Sequence, residues 1–373
     1  MQTPITRRLN IEFPIFAFTH CRDVVAAVCN AGGMGVLGAV GFTPEQLEQE
    51  LIWLDEHVNE GLTYGVDIVI PQKYEGMEDM SGDDVEQMLK DMVPQEAHDF
   101  AAKLLADHNV PELPAGEESI EVLGFGAAMA NPLIDVTLDH PRVSMIANAL
   151  GTPPPEIVDR VQDAGLLIGA LCGSVAHAIS HKEAGLDFVV CQGGEGGGHT
   201  GDVGSVVLWP EVLDVIGDLP LLAAGGIGGG RQMAAALAMG AQGVWTGSLW
   251  LTVEEADIPP AQMDIYLKAS SRDTVRSRSW TGKPCRMLRT DWSDAWDSPD
   301  TPAPLGMPLQ TIVSVDAIVR GHRYPEAAVD VNFYPCGQII GRLDKMKRSR
   351  DVIFEMVEEF IESVERLNTL LAE

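Results

Sequence analysis

A glycine-rich segment that ends in a histidine is the part of the sequence best suited to chemistry. Residues 191–201 read CQGGEGGGHTG, with His199 as the single imidazole. Glycine lets the backbone approach a ligand closely or adopt a positive φ, and histidine exchanges protons near neutral pH. A flexible turn with an incidental histidine is the other interpretation. We take His199 as a candidate proton-transfer residue.

Two further glycine loops follow along the chain. The segment AAGGIGGG (223–230) leads into a predicted helix, and Gly247 and Ser248 follow the next apolar run. Backbone N–H groups in such loops can bind a phosphate without lysine, which matters in an acidic chain. Arg231 is the nearby cation in the sequence. Tight packing turns are the alternative, but the loops together favour a cofactor that carries a phosphate.

Three other patterns carry less weight. GMGVLG (33–38) matches GxGxxG, but it lies between a predicted helix and a strand, the reverse of the order in dinucleotide-binding proteins. His177 and His181 have the spacing of a metal-binding pair, yet no third ligand is near them in the sequence. The six cysteines are far apart and form no CxxC pair, which is typical of a reducing compartment. We predict neither a metal site nor a disulfide framework.

Short apolar runs alternate with amphipathic runs along most of the chain. Eight runs are predicted to be strands: 14–18, 35–40, 64–70, 143–150, 166–171, 187–192, 220–225 and 243–248. Buried parallel strands read as continuous apolar runs, and strands that alternate with helices form parallel βαβ units. The pattern predicts an α/β fold, a TIM (β/α)8 barrel formed by 1–70 and 142–250. Its chemistry should lie at the carboxyl ends of the strands, where the glycine loops begin.

Two regions depart from this alternation. Residues 71–141 are strongly acidic and partly helical, and we interpret them as an insertion with a solvated face. Residues 251–373 are predicted to be an irregular extension on the substrate side. It ends in an amphipathic helix at 349–371, which packs on the barrel or on a partner subunit. Three tryptophans of the extension either line a pocket or pack in a core: Trp280, Trp292 and Trp296.

The charge excludes several classes of partner. The 373 residues include 25 basic and 55 acidic side chains, a formal net charge of −30. Nucleic acids and anionic membranes bind basic surfaces, so neither is an expected partner. The N-terminus lacks the apolar core of a signal peptide, and no run is long and apolar enough to span a membrane. We therefore expect a cytoplasmic protein, and homo-oligomerisation stays open.

Several segments resemble the nitronate monooxygenases, formerly called 2-nitropropane dioxygenases. The segments are QGGEGGGHTG, AAGGIGGGRQMAAALAMGAQGVWTGS and MPLQ (307–310), supported by PIFAF, AGGMGVLGAV, YGVDIVIP and GQIIGRLDKMKRSRDVIFEMVEE. The resemblance covers most of 10–70, 142–250 and 305–365. It implies an FMN-dependent TIM barrel with His199 as the catalytic histidine. The residues it implies as FMN contacts are Gln192, Gly197, Gly225, Gly226, Gly247 and Ser248.

Two positions depart from the family pattern. The first strand has FAFTH where the family often has an APM-like turn, and the backbone of Ala17 and Phe18 is still expected beside the isoalloxazine. Asp67 stands where the family usually has Asn in a GVN motif. An acid there would repel the flavin phosphate or change the flavin potential, unless it contacts a ribityl hydroxyl.

The resemblance implies oxidation of alkyl nitronates, and of nitroalkanes as further substrates, by dioxygen to a carbonyl compound and nitrite. His199 would donate a hydrogen bond to the nitronate anion or, when neutral, take a proton from a nitroalkane carbon. A flavin-type enoyl-acyl-carrier-protein reductase or an NAD(P)H:quinone reductase is the alternative, since such barrels share the GGH loop. A non-catalytic flavin-binding barrel is a third hypothesis.

Overall fold

A closed barrel of eight parallel strands forms the centre of the protein. The computed structural model describes residues 1–70, 82–114 and 127–372. The barrel strands are β1 (Ile15–Thr19), β2 (Met34–Gly38), β3 (Tyr64–Ile68), β4 (Val143–Asn148), β5 (Leu167–Cys172), β6 (Phe188–Gln192), β8 (Leu221–Ala224) and β9 (Gly243–Thr246), with β7 (Gly198–His199) outside it. The strands follow one another in chain order, and β9 pairs with β1 to close the ring. The TIM barrel and its eight predicted strands are confirmed.

Helices surround this barrel and extend beyond it. The described residues form α1 (Pro4–Leu9), α2 (Arg22–Asn30), α3 (Pro44–His57), α4 (Gly82–Met92), α5 (Gln95–Asp107), α6 (Ala127–Asp139), α7 (Pro155–Asp163), α8 (Val175–Glu183), α9 (Ser205–Ile216), α10 (Gly230–Ala238), α11 (Pro260–Lys268), α12 (Asp291–Trp296), α13 (Leu309–Arg323) and α14 (Ser349–Ala372). Within residues 1–70, 82–114 and 127–372, no helix combines the length and apolarity that crossing a membrane requires.

Alternation along the strands separates two apolar layers. In β3, Tyr64, Val66 and Ile68 belong to the cluster between the strands and the outer helices. The residues between them therefore face the barrel interior. Gly65 confirms this direction, because a Cβ there would lie 2.8 Å from the Met145 side chain of the inner cluster. Asp67 has the same parity as Gly65 and so faces inwards too.

A second, three-stranded sheet lies outside the barrel. It consists of β7, β10 (Thr274–Ser277) and β11 (Cys285–Leu288), with β11 in the centre and antiparallel to both neighbours. The composition predicted an irregular segment before a C-terminal helix at 349–371. That helix is present as α14, and the segment before it contains these strands and the helices α11 to α13. The loop after β6, residues 193–201, carries His199, and we call it the histidine loop. The pairing of β7 with β11 joins this loop to the extension.

The helices of the predicted insertion and the C-terminal helix pack in three places. The helices α4 and α5 contact α13, and α14 contacts α10 and α2 of the barrel. The helix α6 contacts α3, and its Leu133 and Ile134 join the outer core of the barrel. Part of the predicted insertion, residues 71–81 and 115–126, lies outside the described residues. The division into barrel, insertion and extension stays a prediction.

Candidate active site

The predicted site residues lie at the carboxyl end of the barrel. Ala17 and Phe18 are in β1, Asp67 is in β3, and Gln192 ends β6. Gly225 and Gly226 follow β8, and Gly247 and Ser248 follow β9. Because β6, β8, β9 and β1 are consecutive in the ring, four of these five groups are neighbours. The structure thus brings together residues that are more than 200 positions apart in the chain.

The loops after β6 and β8 are packed against each other in a way that only glycine permits. Gly225 and Gly226 have φ angles of 88° and 69°, in the left-handed region. A Cβ at Gly225 would lie 2.7 Å from the Ser205 hydroxyl and 2.9 Å from the Gly193 nitrogen. The Gly193 N–H also donates to the Ala224 carbonyl at 3.1 Å. This packing fixes the position of both loops.

The loop after β9 is open by comparison. Among the described residues, a Cβ at Gly247 would have the Phe18 ring as its one neighbour within 4 Å, at 3.9 Å. The chain thus leaves room beside the backbone of Gly247, next to the loop of Gly225 and Gly226. Backbone N–H groups of such glycine loops are suited to a phosphate. The guanidinium of Arg231 lies 3.8 Å from the Glu359 carboxylate of α14. This carboxylate would compete with a phosphate for Arg231.

A segment of the extension, residues 336–338, contacts both the loop after β6 and the loop after β9. The Gly337 N–H donates to the Ser248 hydroxyl at 2.8 Å, and the Gln338 N–H donates to the Glu195 carbonyl at 3.0 Å. Gly197 lies directly against it, because a Cβ there would be 2.6 Å from the Cys336 carbonyl carbon. Sequence reasoning missed this contact. The only signal was the family-like GQIIGR segment, which carries no information about its neighbours.

His199 is held by residues of the extension. Its Nε2 and the Thr281 hydroxyl share a hydrogen bond of 2.7 Å. The imidazole stacks on Trp280, with ring centroids 6.3 Å apart and planes 11° from parallel, and Trp280 stacks in turn on Phe333. The backbone of His199 pairs with Cys285. Sequence reasoning identified His199 but missed Thr281, because these residues are 82 positions apart.

The surroundings of His199 keep the imidazole neutral. The side chain is open to solvent, yet the protein around it displaces part of its hydration and so disfavours the charged form. This loss of hydration is the larger cause, and the positive charge of Lys283 adds to it; together they lower the pKa of His199 to about 4. A neutral imidazole can accept a proton or donate a hydrogen bond at neutral pH.

A second histidine, His20, directly follows β1 at the carboxyl end of the barrel, which we call the mouth. The His20 Nδ1–H donates to the Gly38 carbonyl at 2.9 Å, and the ring meets Phe18 edge-to-face with centroids 5.2 Å apart. Burial lowers the pKa of His20, so this ring is also neutral. Sequence reasoning did not single out His20, although it lies in the FAFTH segment that departs from the family pattern.

Asp67 is buried without any partner. Its side chain is 1% exposed, and neither carboxyl oxygen has a hydrogen-bond partner among the residues that the structure describes. Burial raises the pKa of Asp67 well above its ordinary value. Burial therefore favours the protonated, uncharged carboxyl group, which would lessen the repulsion of a flavin phosphate that sequence reasoning expected at this position.

The tryptophans of the extension have different roles. Trp292 and Trp296 are buried in a cluster with α5 and α13, and the Trp292 indole N–H donates to the Ser279 carbonyl. Both pack in a core. Trp280 is only partly buried and lies beside His199. Among the three, the structure places Trp280 at the mouth.

Comparisons with known proteins agree with this architecture. A family model described as nitronate monooxygenase matches residues 2–359. A relative from Mycobacterium tuberculosis, named provisionally as the monooxygenase Rv1533, is 48% identical over 377 residues, with 100% of both chains covered. FabK from Thermotoga maritima has a TM-score of 0.73 at 25% identity over 99% of each chain. Nitroalkane oxidase from Streptomyces ansochromogenes shares the fold, with a TM-score of 0.79 at 24% identity over 98% of this chain and 100% of that one.

Proposed function

The chain belongs to the nitronate monooxygenase family and is an oxidoreductase of that type; from this premise we propose that it oxidises alkyl nitronates with dioxygen, using FMN held at the barrel mouth. The products are a carbonyl compound and nitrite. The observation that carries the proposal is the position of His199, a neutral imidazole in the glycine-rich loop after β6, at the carboxyl end of the barrel where the two other glycine loops also begin. Nitroalkanes are further candidate substrates.

The residues present fit an FMN phosphate and its ring system. The positive φ angles of Gly225 and Gly226 and the open space beside Gly247 provide a backbone cradle. The Glu195 side chain lies near Gly226, and its carboxylate accepts from the Ser205 N–H and the Ser205 hydroxyl. We assign the phosphate to this cradle. The ring system would lie over Ala17 and Phe18, with Gln192 and Gly197 on the side of the histidine loop. Bound FMN would accept the electrons of the substrate and pass them to dioxygen.

His199 supplies the polar group that the substrate needs. A nitronate spreads one negative charge over two oxygens, so a hydrogen-bond donor beside it stabilises the bound anion. With a nitroalkane, the same neutral imidazole can take the proton from carbon. The bond between His199 Nε2 and the Thr281 hydroxyl holds the ring in one orientation for either role. Lys283, whose charge acts on His199, adds a positive field that favours an anionic substrate.

An anaerobic reduction experiment tests this function. The purified protein should be yellow, and a nitronate added without air should bleach the flavin, whereas NADH and NADPH should not. The variant His199→Asn should retain FMN and lose most of the reduction by a nitroalkane, because asparagine cannot accept the proton. A variant that binds FMN and keeps full turnover would show that His199 has neither role.

The nicotinamide arm of the same experiment tests the alternative. A flavin reductase on the same barrel would be bleached rapidly by NADH or NADPH and only slowly by a nitronate. A protein that takes up FMN but is reduced by none of these compounds would favour the non-catalytic hypothesis. A colourless protein that takes up no added FMN would contradict every flavin-based assignment.

A further inference from the structure

Asp67 is a buried polar side chain that nothing in the described structure uses. Asn148 at the end of the next strand provides a contrast. Its amide group accepts from the Ile70 N–H at 2.8 Å and donates to the Ile70 carbonyl at 3.2 Å. Asn148 is therefore satisfied by the fold itself. Asp67 has no such bonds, and leaving a buried polar group unpaired costs about 1–3 kcal/mol.

The direction of the side chain makes a ligand the missing partner. Asp67 faces the barrel interior and lies in register between Gly38 of β2 and Ala147 of β4. Neither neighbour has a side-chain polar atom. Asp67 is the penultimate residue of β3, so it lies near the carboxyl end of the barrel, where Gln192 ends β6. A ligand with polar atoms at the mouth could approach it from above.

We propose that Asp67 binds the cofactor as a neutral carboxylic acid that donates one hydrogen bond, so that ionisation of this group weakens cofactor binding. The proposal rests on the FMN assignment made above. An asparagine, which resemblance to the family leads one to expect here, would offer an N–H donor of similar shape. An ionised Asp67 offers no donor and places a negative charge in the site of an anionic cofactor.

Among the described residues, no charged group near Asp67 favours the ionised form of its carboxyl group. On the β2 side, His20 packs on Gly38 and is neutral. Across the mouth, His199 is neutral as well. The helices α2 and α6 cover the outer face of β3, opposite to the carboxyl group. Among the described residues no charged partner shifts the pKa of Asp67; burial alone raises it.

The sign of the pH dependence follows from linkage. Cofactor binding provides the protonated form with an acceptor, so it favours protonation. Affinity is then constant below the pKa of Asp67 in the free protein. Above that pKa it falls by up to about tenfold per pH unit, because one proton must be taken up on binding.

Titration of FMN into the cofactor-free full-length protein tests the proposal. The readout is quenching of flavin fluorescence, from about pH 7 upwards, where the phosphate group of FMN is already doubly ionised. The wild-type protein should lose affinity as the pH rises, and Asp67→Asn should bind equally well at the lowest pH and lose none of it. Exposed Asp218 provides the matched control, and Asp218→Asn should follow the wild-type curve. A wild-type slope that persists in Asp67→Asn, or a loss of affinity at every pH, would overturn the donor role.

The stability of the cofactor-free protein gives a second, independent readout. The folded pKa of Asp67 lies above the unfolded value, so its stabilising contribution is complete below the unfolded pKa and is lost as the pH rises towards the folded pKa. Asp67→Asn lacks this loss, and its melting temperature should exceed that of the wild type by a margin that grows with pH. A constant margin would refute the ionisation. If no variant bound FMN at any pH, the proposed function and the donor role would both fail, and the melting margin would still report the ionisation.

Discussion

Replacement of Gly197 by alanine should disrupt the contact between the glycine loop after β6 and residues 336–338. A Cβ at Gly197 would lie 2.6 Å from the Cys336 carbonyl carbon, 2.7 Å from its Cα and 2.7 Å from the Gly337 nitrogen. Ordinary contacts begin at 3.4 Å, so the backbone must move by 3.4 − 2.6 = 0.8 Å. These are backbone atoms rather than the end of a flexible side chain, and the displacement therefore cannot be absorbed by a rotamer change.

This displacement should lower the free energy of unfolding. Inserting a methyl group into a closely packed site typically costs about 1–3 kcal/mol. At about 2 °C per kcal/mol for a large domain, the melting temperature of Gly197→Ala should fall by about 2–6 °C. Because the Gly337 N–H donates to Ser248, the movement should also disturb the loop after β9 and weaken FMN binding.

Gly306→Ala is the matched control, since a Cβ at Gly306 would meet nothing within 4 Å. Its melting temperature and FMN affinity should equal those of the wild type. Thermal melts without FMN and fluorescence titrations with FMN separate the two effects. If Gly197→Ala matched Gly306→Ala in both measurements, the contact between the histidine loop and residues 336–338 would not fix the loops as we infer.

Four further predictions concern His199, its neighbours Thr281 and Trp280, and the buried Trp292. Thr281→Val removes the hydroxyl that lies 2.7 Å from His199 Nε2 while keeping the shape of the side chain. We expect kcat/KM to fall about 2- to 10-fold, which corresponds to about 0.5–1.5 kcal/mol. Thr281→Ser keeps the hydroxyl and should restore kcat/KM. With a nitroalkane, kcat/KM should be level at neutral pH and fall as the pH drops through about 4, where His199 becomes protonated; a midpoint near the ordinary value of 6.5 would contradict the burial argument. Trp292→Ala should cost about 3–5 kcal/mol in urea unfolding because the side chain is fully buried, whereas Trp280→Ala should raise KM with little change in stability.

The barrel and its glycine loops could be read from the sequence because their signals are local. Each strand is a short apolar run, and each loop is a cluster of glycines directly after such a run. Both properties depend on neighbours within about ten positions, so periodicity is sufficient to detect them. The position of His199 at a strand-end loop followed from the same pattern. The composition of the extension contained no comparable period, which is why its second sheet was not predicted.

Only the tertiary structure decided which residues surround these loops. Thr281 reaches His199 across 82 positions, and Gly337 reaches Ser248 across 89. Such contacts depend on how the extension folds back over the barrel, and no local pattern records that path. The charge state of Asp67 is a second example. The sequence shows an acid, but its buried carboxyl group has no partner among the described residues. Burial there favours the neutral form, because a charge would lose its hydration and gain no compensating contact from those residues.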